Sequence, residues 1–163
     1  IRSWQAGDEP ALARHADSPR IYRNVRDHFP HPYTLADAEA WVRDSSAAVP
    51  QTSFAIEIDG EPGGGIGVVL QEDVNRCSAE IGYWLGEAFW GRGIVTEAVR
   101  AFTPWAWDAY GIVRLYAKVF AWNTASSRVL VKAGYTFEGR LRRAAIKQGE
   151  VVDELLYAAV REG

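Results

Sequence analysis

One stretch of the sequence combines two glycines at alternate positions with the start of an amphipathic run. It reads Trp90-Gly91-Arg92-Gly93-Ile94-Val95-Thr96-Glu97. An apolar alternating segment precedes it and a helical pattern follows it, which predicts a strand, a tight turn and a helix. Glycines let the backbone approach a ligand without a Cβ, and a helix begins with unpaired N–H groups and a partial positive charge. The turn is therefore predicted to bind an anion, above all a phosphate or pyrophosphate.

Two better-known phosphate loops are excluded by the spacing. No third glycine completes a Rossmann fingerprint, and no Gly-Lys-Ser/Thr closes a P-loop. A turn whose glycines serve backbone geometry alone remains an open interpretation. A second glycine-rich segment, residues 63–67, leads into a strand pattern, so it has no helix N-terminus and is interpreted as a set of packing glycines.

A single carboxylate, Glu80, lies inside the apolar segment Ala79–Leu85. It is interpreted either as a general base or as a structural carboxylate paired with a cross-strand cation. The segment and the next strand pattern, Leu115–Ala121, are separated by a helix. A right-handed crossover then makes the two strands parallel neighbours. Ligands bind beyond the carboxyl ends of such strands, which is where the glycine turn lies.

Hydrophobic spacing and capping residues predict the elements that position these groups. Asp8 and Thr34 are expected to cap helices, the latter with Asp37 in a capping box. A longer helix is expected over residues 94–110, running through Pro104 with a bend. Its buried stripe is predicted to contain Ile94, Ala98, Ala101, Trp105 and Ala109. Strands are predicted at residues 1–4, 53–58, 65–70, 79–85, 115–121, 135–141 and 150–160.

Composition limits the classes of protein to consider. The 163 residues are 48% hydrophobic and 24% charged with a net charge of −3, as expected for a single ordinary domain without a nucleic-acid partner. One cysteine, Cys77, excludes an internal disulfide and fits a reducing compartment. No apolar segment is long enough to span a membrane. No set of residues in the sequence has the spacing of a metal site. A cytoplasmic protein without a membrane partner or a metal is therefore expected.

Two motifs about thirty residues apart resemble the GNAT N-acetyltransferases. They are Gly91-Arg92-Gly93-Ile94-Val95-Thr96-Glu97-Ala98, and Asn123-x-x-Ser126 followed by Val129-Leu130-x-Lys132-x-Gly134-Tyr135. The likeness is greatest to the RimJ/RimL-type branch, which acetylates α-amines of ribosomal proteins, and it spans nearly the whole chain. It implies an α/β fold in one GNAT domain over residues 1–163. The expected sheet is mixed and mostly antiparallel, with six to seven strands, a splayed parallel central pair and about four flanking helices.

The resemblance also implies acetyl-CoA as the acetyl donor, with its pyrophosphate on the turn and its pantetheine arm added like a strand. Residues expected to bind it are Trp84, Leu85, Trp90, Gly91, Arg92, Gly93, Ile94, Val95, Thr96, Asn123 and Ser126. Glu80 matches the strand position of the acidic base in some GNAT families, and that role is favoured. The acceptor amine is expected against an aromatic pocket. Its predicted lining is Phe29, Tyr33, Tyr83 and Tyr157, although the loop that carries Phe29 and Tyr33 fits a packed cap equally well.

Three positions depart from the family pattern. Trp90 stands where many relatives carry Gln or Arg, and Val95 replaces the usual Gly or Ala. Leu130 occupies the position of the tyrosine that protonates the leaving thiolate in many relatives, which leaves Ser126 or water as the acid.

The predicted function is acetyl transfer from acetyl-CoA to a primary amine by direct attack in a ternary complex. The favoured acceptor is the α-amine of a protein N-terminus. A small amine such as an antibiotic, a polyamine or an amino sugar is an alternative, and a non-catalytic acyl-CoA sensor is another. The seven tryptophans leave open a homodimer surface or only a rich core.

Overall fold

The computed structural model describes residues 1–162. In that range the chain forms seven strands and five α-helices, with two 3-10 turns at Asp73–Asn75 and Glu87–Phe89. The elements are, in order, β1 (Arg2–Ser3), α1 (Glu9–Ala16), α2 (Pro19–Tyr22), α3 (Leu35–Ala47), β2 (Ser53–Ile58), β3 (Glu61–Leu70), β4 (Ser78–Leu85), α4 (Ile94–Tyr110), β5 (Arg114–Phe120), α5 (Thr124–Lys132), β6 (Thr136–Lys147) and β7 (Glu150–Val160).

The strands form one sheet in the order β1-β2-β3-β4-β5-β7-β6. The β1/β2, β2/β3, β5/β7 and β6/β7 pairs are antiparallel. The β4/β5 pair is parallel and is registered from Ser78↔Arg114 to Glu80↔Tyr116. This confirms the predicted mixed α/β sheet and its parallel pair, which the α4 crossover dictates. Two strands differ most from their predicted length: β3 begins four residues earlier and β6 ends six residues later. The described residues form five α-helices, where about four were expected.

The chain divides into two compact units. The first contains residues Ile1–Gly67 and Tyr83–Ile94, and the second contains Val68–Gly82 and the chain from Val95 onward. A buried cluster in the first unit consists of Trp4, Leu12, Ala16, Tyr33, Ala38, Val42 and Ala55. The largest fully buried side chains of the second unit are Phe102, Leu115, Leu130 and Val99.

The two predicted helix caps have different outcomes. At α3 the Thr34 hydroxyl accepts from the Asp37 N–H at 3.2 Å, and the Asp37 carboxylate accepts from the Thr34 N–H at 2.8 Å, which confirms the capping box. At α1 the prediction is wrong, because the Asp8 side chain makes no capping bond. Its two oxygens each accept from the Arg2 guanidinium at 2.8 Å. The guanidinium offers the Asp8 carboxylate two charged donors in a bidentate geometry, so the carboxylate binds Arg2 instead of the helix N–H groups.

Helix α4 runs through Pro104 as predicted and Ala98 is buried as predicted, but the rest of the predicted buried stripe is wrong. The indole of Trp105 is 45% exposed. The residues that α4 buries are Thr96, Ala98, Val99, Phe102, Thr103 and Ala106. Thr103 is tolerated in this face because its hydroxyl donates to the Val99 carbonyl at 2.8 Å, so its polarity is satisfied inside the helix.

Candidate active site

The glycine turn of the first unit has the backbone that its sequence predicts. Gly91 and Gly93 have φ angles of +74° and +77°, in the left-handed region that favours glycine. A Cβ built on either residue would meet no atom within 4 Å. These glycines therefore set the backbone conformation and leave the space beside it open. Helix α4 begins immediately afterwards at Ile94, so its unpaired N–H groups lie next to this open turn.

The second glycine-rich segment is packed against side chains and backbone, as interpreted from the sequence. A Cβ at Gly63 would lie 2.6 Å from the Phe89 ring, and one at Gly64 would lie 2.5 Å from the Trp84 carbonyl oxygen. A Cβ at Gly65 would lie 2.6 Å from the Trp84 indole nitrogen. Real Cβ atoms do not approach so closely, so these glycines let β3 pack tightly against the end of β4.

Trp90 connects the glycine turn to the end of β4. Its indole N–H donates to the Leu85 carbonyl oxygen at 2.7 Å. The N–H of the same peptide group, on Gly86, donates to the Gly63 carbonyl at 2.8 Å. The peptide between Leu85 and Gly86 is thus held through both its carbonyl and its N–H group, next to two residues expected to bind acetyl-CoA, Trp84 and Leu85. Gln and Arg, the residues that relatives carry in place of Trp90, also offer side-chain N–H donors.

The Trp90 ring is itself held by a charged neighbour. The Arg20 guanidinium carbon lies 4.7 Å from the ring centroid, within cation–π distance. The same guanidinium donates to Glu87 at 2.7 Å. No local pattern predicts this contact, because Arg20 is seventy residues from Trp90 along the chain.

In the second unit, Asn123 and Ser126 form the N-terminal cap of α5. The Asn123 side-chain oxygen accepts from the Ser126 N–H at 3.2 Å. Ser126 is half-buried and Leu130 is fully buried. An aliphatic side chain cannot donate a proton, so Leu130 supplies no acid, and the predicted roles of Asn123 and Ser126 stay predictions.

Glu80 is half-buried on β4, with one carboxylate oxygen 3.6 Å from the Lys118 ammonium on β5. The cross-strand cation that one interpretation required is therefore present. The pair does not exclude the other interpretation, because a carboxylate keeps several acceptor positions beyond one contact. Both interpretations of Glu80 remain, and its role as a base stays a prediction.

A cavity of about 330 Å³ lies in the second unit, on the side of Lys118. It is lined by Gln71, Asn75, Ser78, Arg114, Tyr116, Lys118, Leu141 and Leu156. None of these residues was predicted as a site residue. A signal was available in retrospect: Arg114, Tyr116 and Lys118 occupy alternate positions, which places polar side chains on one face of one strand.

The four predicted acceptor residues have more packed surroundings. In the first unit Tyr33 is 7% exposed, and burial raises the pKa of its hydroxyl to about 12. The ring of Phe29 lies 5.0 Å from that of Tyr33, and Tyr83 is half-buried. In the second unit Tyr157 is buried beside Phe137, at a centroid distance of 5.4 Å. Tyr157 and the cavity residue Leu156 are adjacent on β7 and so point to opposite faces of the sheet.

The model of the acetyltransferase (GNAT) domain matches residues 1–136. The chain belongs to the GNAT family. Ribosomal-protein-serine acetyltransferase of Escherichia coli is 33% identical to this GNAT chain over 55% of the chain and 49% of that protein. The uncharacterized N-acetyltransferase YoaA of Bacillus subtilis is 35% identical over 51% of the chain and 47% of its own length. The chain thus spans about half the length of these two relatives.

A solved structure agrees over a longer part of this GNAT chain. Mycobacterium smegmatis RimJ in complex with CoA-disulfide is 27% identical, with a TM-score of 0.82, and the match covers 94% of the chain and 77% of RimJ. Within residues 1–162, no helix is both long and apolar enough to span a bilayer. The same residues contain no group of three or more His, Cys, Asp or Glu side chains arranged to hold a metal ion.

Proposed function

We propose that this GNAT chain transfers an acetyl group from acetyl-CoA to the α-amine of a protein N-terminus. The observation that carries the proposal is the open glycine turn, in which Gly91 and Gly93 adopt positive φ angles with no atom near their Cβ positions. Such a turn at the start of a long helix fits a diphosphate, which needs close access to backbone N–H groups. The likeness to RimJ and to ribosomal-protein-serine acetyltransferase supports the choice of acceptor.

Acetyl-CoA would supply the thioester, and the chain would hold acetyl-CoA in position for the reaction. The turn from Gly91 to Thr96 would hold the diphosphate. The peptide between Leu85 and Gly86 is fixed by Trp90 and Gly63, so the strand end that precedes it is preorganised. A strand N–H near Leu85 would then stabilise the negative charge that develops on the thioester oxygen, without a reorganisation cost during the reaction.

On the acceptor side, the amine nitrogen bonds to the thioester carbon while the carbon–sulfur bond breaks. The proton that the amine loses passes to Glu80, directly or through water, and the thiolate takes a proton from Ser126 or water. An α-amine has a pKa of about 7.7–8.0, so roughly one in seven is already neutral at pH 7, whereas a lysine amine with a pKa of about 10.4 is neutral in well under one case in a thousand. An α-amine therefore needs only a modest base, which is the role proposed for Glu80.

The proposal is tested by measuring the release of free CoA thiol with matched acceptors. One peptide carries a free N-terminus and no lysine, and its partner is Nα-acetylated and carries one lysine. A polyamine and an amino sugar complete the panel. We expect turnover of the free N-terminus alone. Turnover restricted to the polyamine or the amino sugar would support the small-amine alternative, and acetyl-CoA binding without any turnover would support the sensor.

A further inference from the structure

We propose that the cavity beside Lys118 binds the acceptor, and that it selects amines that carry a carboxylate a few bonds away. Lys118 is the group that binds this carboxylate. The inference rests on the proposed function and adds the chemical class of the acceptor. The shared chemistry has two sources, which the experiment separates: the acidic side chain of a peptide's first residues, or the α-carboxylate of a free amino acid.

The first support is that the cavity and Glu80 share one face of the sheet. Side chains alternate between the two faces of a strand, so Ser78 and Glu80 of β4 point the same way, as do Arg114, Tyr116 and Lys118 of β5. Ser78 and these three β5 residues line the cavity. The Glu80 carboxylate itself is not a lining residue, but it lies 3.6 Å from the ammonium of the lining residue Lys118. An acceptor amine bound there would lie beside the predicted base.

The second support comes from the contacts that the two cations lining the cavity, Arg114 and Lys118, already make. The Arg114 guanidinium donates through both terminal nitrogens to the two Glu138 oxygens, at 2.8 and 2.5 Å. That arrangement uses the fork by which arginine normally binds a carboxylate ligand. The Lys118 ammonium is 3.6 Å from Glu80, which is an ion pair beyond hydrogen-bond length, and its side chain is 28% exposed. Lys118 is therefore the cavity cation with donors available to a ligand.

The third support is that Glu80 and Lys118 carry opposite charges, which suits a ligand with both an ammonium and a carboxylate. An ammonium near Glu80 and a carboxylate near Lys118 would each meet an opposite charge, and the existing pair would sit between them. Leu141 and Leu156 supply an apolar wall for the ligand's carbon skeleton. The volume of about 330 Å³ is at the small end of typical ligand pockets, which suits the first residues of a peptide or a single amino acid.

The test compares acceptors that differ only in charge. Peptides beginning Ser-Asp and Ser-Asn form one pair, and free serine and serinamide form the other. We expect the wild-type chain to show at least a tenfold higher kcat/KM for the anionic member of at least one pair. A preference in the peptide pair identifies an acidic side chain as the source, and a preference in the serine pair identifies the α-carboxylate.

Lys118→Met should remove the preference by raising KM for the anionic acceptor about tenfold relative to KM for the neutral acceptor, so that kcat/KM becomes similar for the two members of a pair. Lys118→Arg should retain the preference, and Arg161→Met serves as a matched loss of charge in the same unit, outside the cavity residues. Turnover of the neutral acceptor confirms that the variant is folded. Equal loss on both acceptors, or a preference that survives Lys118→Met, would overturn the inference.

The outcomes also separate this inference from the proposed function. Wild-type turnover of α-amines without any charge preference would refute the carboxylate site alone. A complete lack of turnover of all four α-amines, with acetyl-CoA still bound, would refute the proposed function and the inference with it.

Discussion

Replacing Gly93 by alanine tests whether the glycine turn binds the diphosphate. Gly93 has a φ of +77°, and the methyl group of alanine would meet no protein atom within 4 Å. The only intrinsic cost is therefore the left-handed backbone, about 1–2 kcal/mol for a residue with a Cβ. If the diphosphate approaches the backbone here, the methyl group also occupies ligand space. Affinity for acetyl-CoA should then fall tenfold or more, which is about 1.4 kcal/mol.

Gly111, just beyond the other end of α4, provides the matched control. Its φ is +63° and its Cβ position is equally open, so Gly111→Ala carries a similar backbone cost without a nearby predicted ligand. Urea denaturation should show that both variants lose a similar free energy of unfolding. Titration calorimetry with acetyl-CoA should show weakened binding for Gly93→Ala alone.

Two results would refute the reasoning. Unchanged calorimetric affinity in a folded Gly93→Ala chain would mean that the turn does not approach the ligand. Equal weakening in Gly111→Ala would mean that strain, transmitted through the fold, reduces binding at a distance. The comparison depends on both glycines having open surroundings, a feature that only the structure reveals.

Three further predictions concern single side chains. Glu80→Gln should reduce turnover by about ten- to a thousandfold at pH 7. A pH–rate profile should show this loss shrinking as pH rises through the acceptor's pKa. Full activity of the variant at pH 7 would return Glu80 to a structural role. Trp90→Phe removes the N–H donor to Leu85 but keeps a ring, so steady-state kinetics should show a lower kcat with little change in KM for acetyl-CoA. Trp90→Gln should recover part of the lost kcat. An unchanged kcat in Trp90→Phe would contradict the positioning role. Arg114 lowers the pKa of the Glu138 carboxyl in the folded chain, so this stabilisation is present above the unfolded pKa and is lost as pH falls through the folded one. Glu138→Gln should therefore cost about 0.2–1 kcal/mol near pH 7, and urea denaturation should show the difference vanishing in the acid range; a constant difference would contradict the ion-pair origin.

Helix α4 shows what hydrophobic spacing predicts well and where it fails. Its boundaries, Ile94–Tyr110, were predictable because a turn precedes it and glycine follows it. Its buried face was not, since the prediction weighted the large apolar Trp105 and ignored Thr103. Tryptophan is bulky and often stays at the edge of a core. Threonine can bury its hydroxyl by bonding within the helix, as Thr103 does to Val99.

The candidate site divides in the same way. The glycine turn was predictable because local spacing alone determines a turn's backbone. The cavity was not, because its lining comes from the β3–β4 connection and four strands, whose register no local pattern reveals. Arg114, Tyr116 and Lys118 have the alternation of an ordinary solvent-facing strand surface. The crossover predicted that this strand neighbours the one that carries Glu80, but only the structure gives the register, in which Glu80 pairs with Tyr116.

The pair between Glu80 and Lys118 reconciles the two interpretations of this carboxylate. An ion pair of partly exposed groups is worth about 0–1 kcal/mol, because water competes for both charges. Exchanging such a contact for a ligand ammonium therefore costs little. A structural pair in the free chain and a base in the acceptor complex are consistent roles for one residue. The same reasoning excludes a strong, fully buried pair as a base, since separating its charges would cost several kcal/mol. The partial exposure of Lys118 is thus the property on which a catalytic role for Glu80 depends.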